Sequence, residues 1–285
     1  MADPKAAVRP RAPQPISRRW AREDMVSVNA VDDGEVRTLV MVPTFNEAHG
    51  IEILLDRVLA AHPSLEVLVI DDGSPDGTGE IADKCAAREG RIHVMHRSSK
   101  QGLGRAYVAG FTRGLEDGFD LMIEMDADLS HDPDDLTRLI AASERADLVI
   151  GSRYVRGGSV EGWSRGRHLL SRSANLYSMV LLGFPIRDST SGFRCYRREV
   201  VESVDLEAIA SGGYAFQIEM AYLAWRKGFR VAEVPIVFQE RRSGQSKMSR
   251  DIVAEGISWV TRSGITNLPY RLSRLRRRRR GRPAG

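Results

Sequence analysis

The chain has 285 residues, 42% hydrophobic and 28% charged, with a formal net charge of +4. That length and balance fit one large α/β domain and exclude a disulfide-stapled miniprotein, a collagenous chain and a wholly disordered one. The charge is uneven: residues 271–285 carry eight arginines and no acid, residues 1–24 carry six basic and three acidic residues, and the span between them is net acidic. The two cysteines, Cys85 and Cys195, lie far apart without metal-ligand spacing, which fits a reducing, cytoplasmic setting. The N-terminus lacks the apolar segment of a secretory signal, and no apolar run reaches the length of about 18 residues that a spanning helix requires.

Residues 1–36, rich in Pro, Arg and Ala, read as a disordered tail. Order begins with an apolar strand at 38–42, stopped by Pro43, and a helix follows on the spacing of Ile51, Leu54, Leu55, Val58 and Leu59. Further strands are expected at 65–70, 91–95, 121–125 and 147–150, with helices at 78–88, 104–115 and 132–145 between them. This β-α alternation implies a mostly parallel sheet with right-handed crossovers, whose ligands bind at the carboxyl ends of the strands. The pattern then changes. Residues 157–162 read as a flexible glycine loop, and 167–182 as a helix that grows steadily more apolar through Leu176, Tyr177, Met179, Val180, Leu181 and Leu182. That face either packs in the core or lies on lipid. A strand at 192–196, a helix at 214–226, a strand at 231–239, a loop at 241–249 and a last amphipathic helix at 252–262 complete a single domain without repeats.

The chemistry-bearing residues cluster at the strand ends. Asp126-Ala127-Asp128 closes the apolar run 119–125 with two carboxylates. Two acids there carry an electrostatic cost that a cation or hydrogen-bond donors must offset, and Asp-x-Asp is a common way to hold a hard divalent ion against a diphosphate. The plainer reading is a strand end leading to the helix start at Asp132-Pro133. Pro43 to Glu47 and Asp71 to Thr78 lie on the same expected edge. Glu47 suits a base or ribose as well as a helix cap. The adjacent Asp71 and Asp72 suit N–H donors or hydroxyls rather than phosphate, while Asp76 or Thr78 can cap the next helix. Gly102-Leu103-Gly104 lacks the third glycine of a dinucleotide fingerprint, which argues against a nicotinamide cofactor.

Pro-Thr-Phe-Asn-Glu, Asp-Asp-Gly-Ser-Pro-Asp-Gly-Thr, Gly-Leu-Gly-Arg-Ala-Tyr, Asp-Ala-Asp-Leu-Ser-His and Gly-Ser-Arg-Tyr occur in that order. The set resembles the inverting nucleotide-sugar glycosyltransferases of the GT-A, Rossmann-like type, and among them most closely the polyprenol- or dolichol-phosphate mannose synthases of family 2. The match covers about residues 38–262, within an expected catalytic domain at 37–264 followed by an arginine-rich tail at 265–285. The resemblance implies that Pro43, Phe45, Glu47, Ile70 and Asp72 hold guanosine. It implies that Asp126, Ala127 and Asp128 contact the donor and its Mg²⁺ or Mn²⁺, with Ser130 where some members place a glutamine metal ligand. Phe45 stands where many members have tyrosine. Arg153, Arg241 and Lys247 are expected on the donor or acceptor phosphates, and Arg153, Arg167 and Arg172 are candidates for the acceptor phosphate. Asp188 is a base in other sugar transferases and is otherwise structural.

The implied reaction moves mannose from GDP-mannose to polyprenyl phosphate with inversion. The alternatives are another nucleotide sugar such as UDP-glucose, or a non-catalytic nucleotide- or lipid-binding homologue. The enzyme is expected to sit peripherally on the cytoplasmic face of the membrane, brought there by the cluster at 276–280, by the 174–182 face or by a separate membrane protein. No RNA- or DNA-binding motif accompanies the arginine cluster, so anionic lipid is expected there rather than nucleic acid.

Overall fold

Seven of the apolar runs lie side by side in one sheet. The computed structural model describes residues 36–209, 211–240 and 250–268; Arg241, Lys247, the tail at 1–35 and the arginine cluster at 276–280 lie outside the described residues. In chain order the elements are β1 (Thr38–Thr44), α1 (Ile51–Ala61), β2 (Leu65–Asp71), α2 (Thr78–Arg88), β3 (Ile92–His96), α3 (Leu103–Glu116), β4 (Leu121–Glu124), α4 (Asp135–Ser143) and β5 (Leu148–Ser152). There follow β6 (Ser159–Glu161), α5 (Arg165–Leu182), β7 (Arg194–Arg197), α6 (Arg198–Glu202), α7 (Gly213–Lys227), β8 (Val231–Pro235), β9 (Val237–Gln239) and α8 (Arg250–Thr266).

The sheet runs β3-β2-β1-β4-β7-β5-β8, and every strand except β7 is paired in parallel. Alternation along β1 divides the core in two. Val40 and Val42 face α1, α2 and α4, while Leu39 and Met41 face α3, α6 and α7. Burial on both faces explains why the parallel strands read as unbroken apolar runs. Gly110 lets α3 settle on the sheet, because a Cβ there would come within 2.7 Å of Ile70 Cδ1 and 2.8 Å of Met41 Sδ. After β3 the chain returns to the other side of β1 to form β4. That reversal opens a crevice between the ends of β1 and β4, where ligands of such sheets bind.

The second half departs from the expected pattern in several places. The strand expected at 192–196 is β7, which inserts antiparallel between β4 and β5. The single strand expected at 231–239 is bent at the buried Ile236: β8 stays in the main sheet and β9 leaves it to pair in parallel with β6. The glycine loop at 157–162 is therefore partly a strand. The helix expected from 132 begins at Asp135, because Asp132 to Asp134 form a turn in which Asp132 Oδ1 accepts the Asp134 N–H. The short α6 carried no helical period of its own.

α5 buries only Asn175, Ser178 and Leu182. Leu169, Leu170, Leu176 and Val180 are at least half exposed and Tyr177 is 36% exposed, while Leu182 lies in the core with Leu181 packed against it, so the core-packing reading holds only for the end of this face. Among the described residues no helix is long and apolar enough to cross a membrane.

Candidate active site

The loops after β1 and β2 build one wall of the crevice. Asp71 and Asp72, adjacent in sequence, have different partners. Asp71 turns into its own loop: Oδ1 accepts the hydroxyls of Ser74 at 2.5 Å and Thr44 at 3.3 Å, and Oδ2 accepts the Ser74 N–H at 3.1 Å. Asp72 instead pairs with Arg97 at 2.6 Å, and burial raises its pKa while the guanidinium pulls it back. Asp76 caps α2 through the N–H and hydroxyl of Thr78 and also accepts the Ala48 N–H. Thr78 in turn accepts the Glu47 N–H at 2.9 Å, which locks the two loops together. Phe45 and Glu47 are half-buried on this wall, and the Lys100 ammonium lies 4.3 Å over the Phe45 ring. Ile70 does not join them by its side chain, which is fully buried in the core beneath α3.

The opposite wall is the turn after β4. Asp126 and Asp128 are half-buried, whereas Ala127 between them packs in the core. Leu129 has φ 60°, one of two non-glycine residues among those described with positive φ; the other, Asn46, lies on the facing loop. A leucine in that region is strained, and such strain gathers at functional sites. Ser130 does not present its hydroxyl to the crevice. It is buried, and both its N–H and its Oγ donate to Asp128 Oδ1, at 3.0 and 2.5 Å. Its observed part is to aim Asp128. His131 carried no assignment from sequence, yet it is fully enclosed: Nδ1 lies 3.4 Å from the Asp126 N–H, and the ring stacks on Phe193 at 4.9 Å. Burial, assisted by Arg153, lowers its pKa to about 4, so it is a neutral acceptor at pH 7.

Two carboxylates fit Mg²⁺ or Mn²⁺ in a particular way. Among the described residues no group of three or more His, Cys, Asp or Glu side chains could hold a metal. Hard oxygen donors in so small a number suit an ion that completes its shell with substrate phosphate and water, not an all-protein cage.

Behind this turn, Glu124 is completely buried. Its carboxyl lies in an enclosed polar group with the Tyr196 hydroxyl, the Gln217 amide and Arg194. Burial pushes Glu124 up to about 8 although Arg194 pulls it down, so it enters the fold as a neutral acid.

The arginines lie beyond β5. Arg153 is 6% exposed and bound on two sides by Asp188: Nε donates to Oδ2 at 2.8 Å and Nη2 to Oδ1 at 2.6 Å. The Arg153 N–H also donates to Asp188, and Nη2 reaches Thr190 at 2.8 Å. Asp188 has no exposure, so the structure makes it the counter-ion of Arg153 rather than a base facing the crevice. The guanidinium lies 5.3 Å from the Tyr154 ring and 5.5 Å from those of Trp163 and Phe238. Arg172 shares Tyr154, at 5.6 Å, and Arg167 shares Trp163, at 4.2 Å. Three guanidinium groups separated by 14 and 5 residues thus meet around two rings. Neither ring had been singled out in the sequence, where tyrosine and tryptophan in a glycine-rich stretch carry no period.

The chain matches the model of Glycosyl transferase family 2 over residues 39–205. It is 52% identical over 242 residues to the polyprenol monophosphomannose synthase of Mycolicibacterium smegmatis, covering 84% of this chain and 90% of that protein. It is 48% identical over 230 residues to the undecaprenyl-phosphate mannosyltransferase of Micrococcus luteus, covering 81% and 95%. Among solved structures, the glucosyl-3-phosphoglycerate synthase of Mycobacterium tuberculosis, bound to Mn²⁺, UDP-glucose and phosphoglyceric acid, shares the fold, with TM-score 0.60, 22% identity and coverage of 79% of each chain. The chain is a glycosyltransferase of family 2, within its group of polyprenol-phosphate mannosyltransferases.

Proposed function

We propose that this enzyme transfers mannose from GDP-mannose to a polyprenyl phosphate with inversion, giving polyprenyl-phosphate β-mannose and GDP. The observation that carries the reading is the convergence of Arg153, Arg167 and Arg172 around Tyr154 and Trp163, in the same chain as the paired carboxylates Asp126 and Asp128. Guanidinium groups gather where an anion repays their repulsion, and their planar fork matches phosphate.

Phe45, Glu47 and Asp72 form the nucleoside wall, with Asp72 accepting N–H groups of the base and Arg97 fixing its carboxylate. Pro43 closes the same wall through the β1 end, and Ile70 and Ala127 contribute backbone only. Asp126 and Asp128 would hold Mg²⁺ or Mn²⁺, which when bound stabilises the charge developing on the leaving diphosphate. The acceptor's own oxygen does the attack. A phosphomonoester has its second pKa near 6 and is ionised at neutral pH. One of its oxygens bonds to sugar C1 as the C1–O bond to the diphosphate breaks, and that electron pair leaves on GDP. No proton is removed in this step, which fits a site where Asp188 is committed to Arg153. The arginines align the attacking oxygen opposite the leaving group. Arg241 and Lys247 are assigned to the donor phosphates on the resemblance alone.

We assign the enzyme to the cytoplasmic face of a membrane as a peripheral protein. The exposed residues Leu169, Leu170, Leu176, Tyr177 and Val180 lie on α5, the helix whose first turns carry Arg167 and Arg172. A lipid whose phosphate sits at those arginines has an apolar surface along the same helix for its chain and for the bilayer. The arginine cluster at 276–280 adds attraction to anionic headgroups.

Purified protein incubated with polyprenyl phosphate, Mg²⁺ and each labelled donor in turn tests the reading. Transfer from GDP-mannose, lost on chelation and restored by Mg²⁺ or Mn²⁺, is the expected result. Transfer from UDP-glucose and not from GDP-mannose would overturn the donor, and metal-independent transfer would overturn the metal.

A further inference from the structure

Arg167 and Arg153 both carry a carboxylate, but the two carboxylates are held differently. Asp188 is fully buried against Arg153 and contacts it through two guanidinium nitrogens and the backbone. Glu240 contacts Arg167 through one bond, Nη1 to Oε1 at 2.7 Å, with side chains 30% and 43% exposed. An exposed single-bonded pair of this kind adds little stability.

The backbone nevertheless goes to some length to put Glu240 there. Its N–H donates to Glu161 O at 3.1 Å, continuing the β6–β9 pairing, and the Gln239 N–H donates to Ser130 O at 3.1 Å, tying β9 to the turn that aims Asp128. Gly162, at φ 85°, leaves the room this requires: a Cβ on it would lie 2.8 Å from Glu240 Cβ. Meanwhile the Arg167 guanidinium lies 4.2 Å over the Trp163 ring, a second contact that does not pass through Glu240. The result is a fixed cation with an exchangeable internal anion.

We propose that Glu240 is an internal competitor for anions at Arg167, and through that competition a specificity residue for the acceptor. The proposal rests on the reading in which Arg167 receives the acceptor phosphate. A phosphomonoester brings about −1.5 to −2 charges and three terminal oxygens, and so displaces one carboxylate from one guanidinium. A phosphodiester headgroup brings a single charge on two free oxygens and does not. At a membrane surface crowded with phosphodiesters, a site without the competitor binds the wrong anion; a repulsive element against the competitor ligand supplies the discrimination that attraction alone does not.

The test uses the full chain in detergent micelles at saturating donor, with polyprenyl phosphate varied in the presence and absence of phosphatidylglycerol. Glu240→Gln is expected to lower the acceptor KM by about fivefold, to leave kcat within about twofold, and to make phosphatidylglycerol a competitive inhibitor at concentrations that leave the wild type unaffected. Glu240→Ala should behave alike. An unchanged or higher KM, or a lower KM without new inhibition, overturns the proposal. Arg167→Ala keeps this result separate from the reading beneath it. If that variant raises the acceptor KM while Glu240→Gln changes nothing, the competitor is wrong and the phosphate site stands; if Arg167→Ala leaves the acceptor KM unchanged, the phosphate assignment of Arg167 falls and the competitor with it. With the proposal correct, Arg167→Ala combined with Glu240→Gln shows no KM gain over Arg167→Ala, because the competitor has lost its site.

Discussion

The carboxylate-bearing and arginine-bearing parts of the candidate site are built by different means. The side we assign to the nucleoside and the metal is made from turns that directly follow β1, β2 and β4, and its carboxylates Asp72 and Asp128 are positioned by hydrogen bonds within a few residues or across adjacent loops. The arginine side is made from residues scattered between β5 and β9, and its central group, Arg153, is set by an acid 35 residues away. One side places charges where a ligand neutralises them. The other pairs its deepest charge, Arg153, with a buried acid, and an outer one, Arg167, with an exposed acid. Substitution of an acid should therefore act on turnover on the first side and on folding on the second.

The largest effect tests that contrast from the arginine side. We predict that Asp188→Asn destabilises the protein by about 3–5 kcal/mol in urea unfolding, because it leaves the guanidinium of Arg153 buried without its counter-ion. Activity should fall together with the folded fraction. A variant as stable as wild type would show that Arg153 is neutralised in some other way, and the contrast would fail. Next comes Asp128→Asn on the metal side. The amide oxygen still accepts from Ser130, so unfolding should shift by no more than about 0.5 kcal/mol. Transfer should drop by a factor of about 100 to 1,000, the cost of removing one charge-stabilising group from such a site. Full turnover in that variant would remove Asp128 from the metal assignment.

The same contrast explains what could be read from the sequence. The parallel half was legible because strands buried on both faces are continuous apolar runs and because the ligand edge is reached within one to five residues of each strand end. Asp72, Asp126 and Asp128 fall one to four residues beyond the ends of β2 and β4, as the expected strand ends imply. Ile70, which the resemblance places at the guanosine, stands one residue before the edge, and the period of two turns its side chain into the core, which leaves only its backbone to the crevice. The other half depends on long-range pairing. Nothing local marks β7 as antiparallel, the bend at Ile236 that frees β9, or the meeting of Arg153, Arg167 and Arg172 at Tyr154 and Trp163. For Ser130, placed by the resemblance at a metal ligand, nothing in the sequence announced that its hydroxyl and N–H both donate to Asp128. Apolar residues on α5 look the same in sequence whether they face a core or a bilayer.

An effect that depends on pH lies behind the metal side, at Glu124. Its pKa is about 8 in the fold against an ordinary 4.5, so between those values the folded chain holds a proton that the unfolded chain has released. Its neutral form contributes fully below pH 4.5. Stability is lost as pH rises from there to about 8, at up to about 1.4 kcal/mol per unit, and the loss levels off above that. Glu124→Gln removes the titration. Relative to wild type it should gain stability steadily from pH 5 to 8 and no further beyond. Parallel pH profiles for the two proteins would mean that Glu124 is ionised in the fold.

The smallest expected change in stability belongs to α5. Leu169, Leu176 and Val180 follow one another at seven and four residues, which places them on one side of the helix, and all three are more than half exposed. Replacing them with serine removes little buried contact, so each change should alter unfolding by about 0.5 kcal/mol or less. A face more than half exposed in the folded chain can still bind a surface. The triple variant should partition less well onto anionic vesicles at high salt, where attraction by the arginine cluster is screened. It should also lose activity on acceptor presented in vesicles while keeping it on acceptor dispersed in detergent. Equal loss in both presentations would place the defect in the phosphate site at the start of the helix. Unchanged vesicle binding at high salt would show that this side of α5 does not meet the membrane, and that the apolar stretch identified in the sequence serves some other contact.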